Sequence, residues 1–312
     1  MEFMTNVNFE FINRRKAAAM ISCGLILIGL FSILFHKGLN YSIDFKGGSV
    51  LEVRFDEPVD IGSLRASVEK ANVGTFEIQE FGDPREILVR VEKSDSSGDL
   101  GARLMGMFKE DNPARTIELR REETVGPRIG KELRRQAFLA IIFSIIGILV
   151  YISWRFEFRF AIAAVIALIH DILITLGFFS IVNYEISLSV IAAFLTIVGY
   201  SLNDTIVVFD RIREDLRLHA RKPYDRVLNT AINRTLSRTV LTSLTTLSVV
   251  AFLMVFGGSV IHDFAVALFV GVIIGTYSSQ FVASPVLVEW NNWATRRAAS
   301  KALVGKKGNA KK

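Results

Sequence analysis

The stretch "GYSLNDTIVVFDRIRE", from Gly199 to Glu214, places an amide and a carboxylate inside an apolar run. The run begins near Ile186, and Asn203 and Asp204 lie side by side within it. Apolar runs of about 20 residues are typical of membrane helices, because about 30 Å of hydrocarbon requires that length. A charged side chain at such depth costs roughly 2.5–3.5 kcal/mol on insertion scales, so its presence predicts a function.

The composition and the spacing of the apolar runs predict a polytopic α-helical membrane protein. Hydrophobic residues make up 51% of the 312 residues, and six runs are long enough to cross a bilayer. Around the spans lie an N-terminal segment, a long polar segment, a basic loop and a basic tail: residues 1–16, 37–135, 210–238 and 289–312. The predicted spans are residues 17–36, 136–154, 160–183, 186–209, 239–257 and 260–288.

Lysine and arginine are distributed unevenly among the polar segments. Every short basic segment falls on the same side of the predicted spans, which the positive-inside rule assigns to the cytoplasm. Both termini are then cytoplasmic, and residues 37–135 form a large extracytoplasmic domain of a cytoplasmic (inner) membrane protein. The net charge of +6 follows from this topology, so it does not indicate nucleic-acid binding.

The extracytoplasmic segment 37–135 has the pattern of a small α+β domain. Apolar and polar residues alternate from Leu51 to Asp56, which is typical of a half-buried strand. A helix capped by Asp60 or Ser63 follows, and the remaining elements complete the order β-α-β-β-α-β. That order predicts a ferredoxin-like domain inserted between the first and second spans. The fold by itself indicates no function.

The sequence has no motif of a metal, cofactor or catalytic site. Residues 126–131 have three residues between their glycines where a phosphate-binding loop needs four. Cys23 is the single cysteine, so no internal disulfide is expected, and no Cys/His cluster has metal-ligand spacing. Ala267, Gly271 and Gly275 recur every four residues and predict close helix packing in span six. We expect no metal and no cofactor, and we predict that the chain is not an enzyme.

Polar residues in and beside the predicted spans are the candidates for function. A buried Asp204 favours its protonated form, whereas Arg238 within a few Å would favour the charged form. A small slide between spans four and five would then load and release a proton. The alternative is that the two residues form a structural ion pair. The candidates are Asp204, Arg238, Asn203 and Thr242 for a proton pathway, with His170 and Asp171 as supporting polar residues in span three.

Five stretches, in order and spread over most of the chain, resemble the SecD/SecF family of the RND superfamily, on its SecF side. The resemblance implies half of an RND-type core and a subunit that works with SecD to couple the proton motive force to late steps of protein export. The stretches are "GLNYSIDFKGGSVLEV", "VGPRIGKELRRQA", "IALIHDILITLG", "GYSLNDTIVVFDRIRE" and "NRTLSRTVLTSLTTL".

The resemblance also implies partners and roles. The partners are SecD in a heterodimer, the SecYEG channel, translocating preproteins and the lipid membrane. The family's proton-path aspartate and arginine fall on Asp204 and Arg238, and the hydroxyl near them falls on Thr242. A family motif lies where the chain leaves the first span for the outer domain. This domain-entry motif includes Asp44, Phe45, Gly47 and Gly48.

Two other functions stay open. The chain could be a non-transporting assembly scaffold of the translocase, or a half-size RND-type proton-driven transporter of another substrate. An intramembrane aspartyl protease is disfavoured, because those enzymes carry Tyr-Asp and Gly-x-Gly-Asp where this chain has Ile-His-Asp and Ser-Leu-Asn-Asp. Replacing the carboxyl group of Asp204 separates a scaffold from a proton carrier, because only the carrier needs a titratable group.

Overall fold

The computed structural model describes residues 8–92 and 100–309. Residues 1–7, 93–99 and 310–312, in the predicted N-terminus, outer domain and tail, lie outside the described residues. The described part of the chain contains six helices long and apolar enough to cross a membrane, which confirms the predicted fold class. They are Arg15–Phe35, Pro127–Arg155, Phe158–Val182, Leu188–Leu218, Tyr224–Phe256 and Ile261–Ala298.

The chain divides into two compact units. The helical unit comprises Met1–Gly38, Ile141–Tyr184 and Ala192–Lys312, and the sheet unit comprises Leu39–Ala140 and Glu185–Ile191. In chain order the elements are α1 (Arg15–Phe35), α2 (Ile43–Lys46), β1 (Gly48–Phe55), α3 (Ile61–Lys70), β2 (Phe76–Phe81), β3 (Asp83–Val91), α4 (Leu100–Asp111), β4 (Ile117–Val125), α5 (Pro127–Arg155), α6 (Phe158–Val182), α7 (Leu188–Leu218), α8 (Tyr224–Phe256), α9 (Gly258–Ser278), a π-helical turn (Ser279–Ala283) and α10 (Ser284–Asn309).

The core of the helical unit forms around α6. Small residues such as Ala164 and Ala167 on this helix are buried, so neighbouring helices approach it closely. Gly29 on α1 illustrates this approach, since a Cβ atom at that position would lie 2.7 Å from the Cα atom of Gly177 on α6. One hydrophobic cluster joins α5, α6, α7, α8 and α10 through Ile152, Phe160, Phe209, Leu228 and Leu287.

The basic segment 210–238 differs from the expected loop, because most of it is helical. α7 continues to Leu218 and α8 begins at Tyr224, directly after Pro223, which has no backbone N–H to continue a helix from before it. Apolar residues continue at helical spacing through the basic segment and are buried, so the charges occupy the other face. These buried residues are Ile212, Val227, Leu228, Ala231 and Ile232.

The sheet unit has the predicted ferredoxin-like arrangement. Its four strands lie in the order β2-β3-β1-β4, and every neighbouring pair is antiparallel. Leu51, Val53 and Phe55 of β1 point into the core while the residues between them are partly exposed, as the alternating sequence predicts. Asp60 caps α3 by accepting a hydrogen bond from the Ser63 backbone N–H at 2.9 Å.

Candidate functional site

The Asp204 carboxyl group is the centre of the candidate site. It belongs to α7, and the residue is only 2% exposed. The Ser243 hydroxyl on α8 donates to Asp204 Oδ2 at 3.4 Å and also lies 2.6 Å from Thr276 Oγ1 on α9. Thr276 in turn donates to the Val272 carbonyl at 2.8 Å. Asp204 is therefore connected through two hydroxyl groups to the backbone of α9.

The other residues predicted for the proton pathway lie on an exposed face of α7 and α8. Asn203, Arg238 and Thr242 are all exposed in this chain. Within the described residues, no ion pair of 4.0 Å or less joins the side chains of Arg238 and Asp204. The described residues therefore do not show the closed ion pair between Asp204 and Arg238 that a structural role would require.

The hydroxyl group that contacts Asp204 comes from Ser243 and not from the predicted Thr242. Residues 239 and 243 share one helix face because they are four positions apart, and both are buried. Thr242 lies about 100° away around the helix, and its hydroxyl donates to the Thr239 carbonyl of its own helix at 2.9 Å. The hydroxyl residues of α8 are thus divided between a buried face and an exposed face.

Asp171 is the centre of a second polar cluster, whose described hydrogen bonds do not involve Asp204. This carboxylate on α6 is fully buried. Its Oδ2 atom accepts from the hydroxyl groups of Ser201 at 2.6 Å and Ser278 at 2.8 Å. Its Oδ1 atom lies 2.9 Å from His170 Nδ1. Asp171 therefore joins α7 and the end of α9 to α6 with two short hydrogen bonds, and a third joins it to the adjacent residue of its own helix.

His170 extends this second centre to α1. With Nδ1 donating to Asp171, the network assigns Nε2 as the acceptor for the Ser22 hydroxyl, 2.9 Å away. The Tyr277 hydroxyl lies 3.2 Å from Ser22 Oγ and donates to the Ala18 carbonyl at 3.0 Å. His170 thus connects Asp171 to the first span, and no described contact joins it to Asp204.

Glycines on α9 set the distance between α9 and α7. A Cβ atom at Gly271 would lie 2.2 Å from Ile197 Cδ1, and one at Gly275 would lie 2.9 Å from Ser201 Cβ. The predicted packing role of these glycines is confirmed by those distances. Immediately after α9, the helix widens into the π-helical turn Ser279–Ala283 beside the Asp171 centre, a feature often found at functional sites.

A buried ion cluster joins α7 and α8 beyond the apolar run. Asp215 is 1% exposed and accepts from Arg234 at 2.9 Å and from Arg211 at 3.2 Å. Arg234 precedes Arg238 by one helical turn on α8. The cluster therefore fixes α7 and α8 to each other one helical turn from Arg238, the cation predicted to act on the proton site Asp204.

The domain-entry motif lies in the sheet unit, where α2 leads into β1. Phe45 is buried, and Asp44 Oδ2 accepts a hydrogen bond from the Leu188 backbone N–H at 2.9 Å. Gly47 and Gly48 have φ angles of 78° and 137°, which residues with a Cβ atom rarely adopt. The motif thus forms an irregular turn that only glycine fits well.

Sequence reasoning identified Asp171 and Asp204 but missed the residues that hold them, and it missed a further buried aspartate, Asp215. Hydroxyl residues are common in apolar helices and usually bond to their own backbone, so the spacing of a single sequence does not select the ones that bond across helices. Within residues 8–92 and 100–309, no three His, Cys, Asp or Glu side chains cluster as metal ligands would. The missed residues are Ser22, Ser201, Asp215, Ser243, Thr276, Tyr277 and Ser278.

Two family models match the chain. Residues 107–293 match the model described as protein export membrane protein SecD/SecF, C-terminal, and residues 32–59 match the SecD/SecF GG motif. A protein translocase subunit SecF from Magnetococcus marinus is 47% identical over 302 residues, covering 96% of this chain and 97% of the relative. The Vibrio alginolyticus subunit of the same name is 46% identical and covers 89% of each chain.

Solved structures of SecDF have the same fold. The crystal structure of SecDF from Thermus thermophilus, described as a translocon-associated membrane protein, matches with a TM-score of 0.83 and 40% sequence identity. A SecDF structure in a super-membrane-facing form matches with a TM-score of 0.70 and 38% identity. The first match covers 93% of this chain but 40% of the SecDF chain, so more than half of SecDF lies outside it.

Proposed function

Because the chain belongs to the SecD/SecF family of protein-export membrane proteins, we propose that it acts as a SecF subunit, coupling the proton motive force to late steps of preprotein translocation. Asp204 is the proposed proton carrier, and Arg238 is the charge that favours its ionised form. The observation that carries the proposal is the pair of hydroxyl groups beside Asp204, since they accommodate the carboxyl group in either protonation state.

The donors and acceptors around Asp204 support its assignment as the proton carrier. A hydroxyl group donates one hydrogen bond and accepts others, and a carboxyl group donates only when protonated. With Asp204 ionised, the Ser243 hydroxyl donates to it at 3.4 Å. With Asp204 protonated, Asp204 donates to Ser243, Ser243 donates to Thr276, and Thr276 donates to the Val272 carbonyl. Both states therefore leave the buried groups paired without a change of side-chain position.

The exposed polar face supports a membrane partner. Asn203, Arg238 and Thr242 would face lipid if the chain stood alone, and polar groups at that depth are costly. We assign this face to SecD, because the match covers only 40% of the SecDF chain and leaves a large segment that a separate partner could supply here. A crosslinker at position 242 should capture SecD in membranes, and capture of no membrane protein would contradict the assignment.

The proposed membrane orientation rests on the distribution of basic residues, and the proposed contacts with SecYEG and preproteins rest on the family. By the positive-inside rule, we propose that both termini are cytoplasmic and that the sheet unit lies outside, where it would meet SecYEG and emerging preproteins. A reporter fused to the C-terminus should be active only in its cytoplasmic form. Activity of an outside-specific reporter there would reverse the orientation.

The experiment that tests the proton role is preprotein export in membrane vesicles, measured with and without a proton gradient. Asn keeps the size and hydrogen bonding of Asp but has no titratable proton, so Asp204→Asn should assemble normally and lose the gradient-dependent acceleration. One elementary charge moved across 100 mV yields roughly 2.3 kcal/mol, enough to bias a helix rearrangement but not to move a long polypeptide in one step. Export should be slower but should not stop.

The matched control is Asp210→Asn on the same helix. Asp210 is 56% exposed in its side chain and pairs with Arg155 at 3.4 Å, a surface pair of small energetic weight. This variant should retain the full acceleration. Full acceleration in Asp204→Asn vesicles as well would make Asp204 a structural residue and favour the scaffold function.

A further inference from the structure

The segment Asn40–Gly48, here called the connector, has contacts that the proton pathway does not explain. It contains the short helix α2 and the whole domain-entry motif. Within the sheet unit it contacts the residues that open α7, the residues that open α5, and the end of β3. A segment of this length with three structural neighbours is suited to transmit movement among them.

The backbone of the connector pairs with the residues just before α7. The Ile186 N–H donates to the Asn40 carbonyl at 2.7 Å, and the Ser42 N–H donates to the Ile186 carbonyl at 3.0 Å. Tyr41 and Ile186 accordingly form a parallel β-bridge. Ile186 is 2% exposed, so this pairing is shielded from water and fixes the position at which α7 begins.

Asp44 provides the next contact, at the first residue of α7. The N–H groups of a first helical turn have no partners within the helix and need capping. Ser187 caps one of them locally, because its hydroxyl accepts from the Val190 N–H at 3.3 Å. The Leu188 N–H instead donates to Asp44 Oδ2 at 2.9 Å. A carboxylate at this end of a helix also interacts favourably with the helix dipole.

The C-terminal end of the connector, Gly47 and Gly48, also lies close to neighbouring backbone. A Cβ atom at Gly48 would lie 2.5 Å from the Val91 carbonyl oxygen at the end of β3. A Cβ atom at Gly47 would lie 2.8 Å from the Cα atom of Pro127, the first residue of α5. Both glycines therefore permit a backbone contact that other residues would obstruct.

We propose that the connector is the link through which α7 moves the sheet unit, and that Asp44 is a positioning residue that holds the first turn of α7 to it. α7 is one continuous helix, and Asp204 lies sixteen residues after Leu188, about 24 Å along the axis at 1.5 Å per residue. A shift of α7 during the proton cycle therefore reaches Asp44 through a rigid element. The inference rests on the proposed function for the event that moves α7.

The test measures gradient-dependent export in vesicles that contain the complete complex. Asp44→Ala removes the acceptor and should reduce the acceleration by up to about fivefold, the equilibrium counterpart of losing one helix cap. Asp44→Asn retains an oxygen acceptor and should keep most of the acceleration. Asp60→Ala removes a carboxylate cap from α3, whose described hydrogen bonds do not involve α7, and should leave the acceleration unchanged.

A covalent rescue separates positioning from general stability. In an Asp44→Ala chain that also carries Cys23→Ser, the substitutions Tyr41→Cys and Ile186→Cys place two thiols at β-bridge partners, where a disulfide would tie the connector to the residues before α7. Oxidation should restore the acceleration, and reduction should remove it again. Failure of the oxidised form to recover, with the disulfide shown to have formed, would overturn the proposal.

The outcomes distinguish this proposal from the proton role. Loss of acceleration in Asp204→Asn with none in Asp44→Ala would support the proton carrier and exclude the connector. Loss in Asp44→Ala, repaired by oxidation, with none in Asp204→Asn would support the connector and exclude the proposed carrier. Equal losses in Asp44→Ala and Asp60→Ala would reduce Asp44 to a residue that stabilises the domain.

Discussion

Asp171 and Asp204, both buried in the helical unit, have opposite bonding. Asp171 receives three hydrogen bonds of 2.6, 2.8 and 2.9 Å from three different helical segments. Asp204, equally hidden from water in this chain, receives one contact of 3.4 Å. Burial alone therefore does not distinguish a structural carboxyl group from a functional one.

The difference lies in what each neighbour can do after a proton arrives. Ser201 and Ser278 both direct their hydroxyls at the same oxygen of Asp171, so a proton on that oxygen would displace a donor. Ser243 can turn its hydroxyl from Asp204 towards Thr276 without losing a partner. The two hydroxyl donors at Asp171 Oδ2 therefore suit an ionised oxygen, whereas the hydroxyl beside Asp204, the proposed carrier, suits either protonation state.

The largest expected loss of stability comes from replacing Asp171, whose carboxylate accepts three hydrogen bonds. Asp171→Ala should lower the free energy of unfolding by roughly 2–5 kcal/mol, the sum of three hydrogen bonds at about 0.6–1.7 kcal/mol each in a membrane protein. Asp204→Ala should lower it by less than about 0.6 kcal/mol, because it loses one long contact. Denaturant unfolding of the purified complex in mixed micelles measures both values.

Preprotein export is the control measurement for Asp171→Ala and Asp204→Ala. Asp204→Ala should give a stable complex without gradient-dependent acceleration, whereas Asp171→Ala should lose export in proportion to its loss of folded complex. Equal stability losses in the two variants would remove the distinction between the aspartates.

A smaller effect is expected where α9 packs against the support of Asp171. In Gly275→Ala the new Cβ atom would lie 2.9 Å from Ser201 Cβ and would push Ser201 away from Asp171. Overpacking of this kind costs about 1–3 kcal/mol in unfolding free energy. Gly147→Ala on α5, where no atom lies within 4 Å of the new Cβ, should be neutral or slightly stabilising in the same assay.

Most of the fold could be predicted because its signals are local. Six apolar runs predict six spanning helices, and the alternation around Leu51 with the Asp60 cap predicts the start of a ferredoxin-like domain. The extension of α7 and α8 through residues 210–238 was missed, because the density of charge there obscures a buried face. That face is apparent only when Ile212 and Leu228 are seen to meet in the core.

The aspartates of the candidate site could be predicted from the sequence, but the hydroxyl groups that bond to them could not. Asp204 and Asp171 are conspicuous because carboxylates are costly in an apolar run. Their separate roles depend on which hydroxyls cross between helices, and that is set by rotation about the helix axis. One position along α8 separates the exposed Thr242 from the buried Ser243, and a stripe of hydroxyl residues does not specify which of them contacts Asp204.

The smallest expected effect concerns the acid sensitivity of the sheet unit, which depends on the carboxyl group of Asp111. The hydrogen bond from the Ser67 hydroxyl, followed by Lys70, holds the pKa of the Asp111 carboxyl group below its usual value. A lowered folded-state pKa contributes stability that is present above the unfolded pKa of about 3.9 and is lost as the pH falls through the folded value. Ser67→Ala removes the main cause, so the sheet unit should lose less of its stability across that acidic range.

Hydrogen exchange of α3 and α4 in the intact complex, followed from neutral pH to below about pH 4, measures this loss. Ser63→Ala is the matched control, because the Ser63 hydroxyl donates to the Asp60 carbonyl at 2.7 Å on the same helix and does not contact Asp111. It should leave the acid sensitivity unchanged. The effect is small because the Asp111 side chain is 34% exposed, so water replaces much of the lost interaction. An acid sensitivity in Ser67→Ala equal to that of the unmodified chain would show that the Ser67 hydrogen bond does not set the Asp111 pKa. The contrast between saturated and unsaturated carboxylates would then apply only inside the membrane, where no water competes.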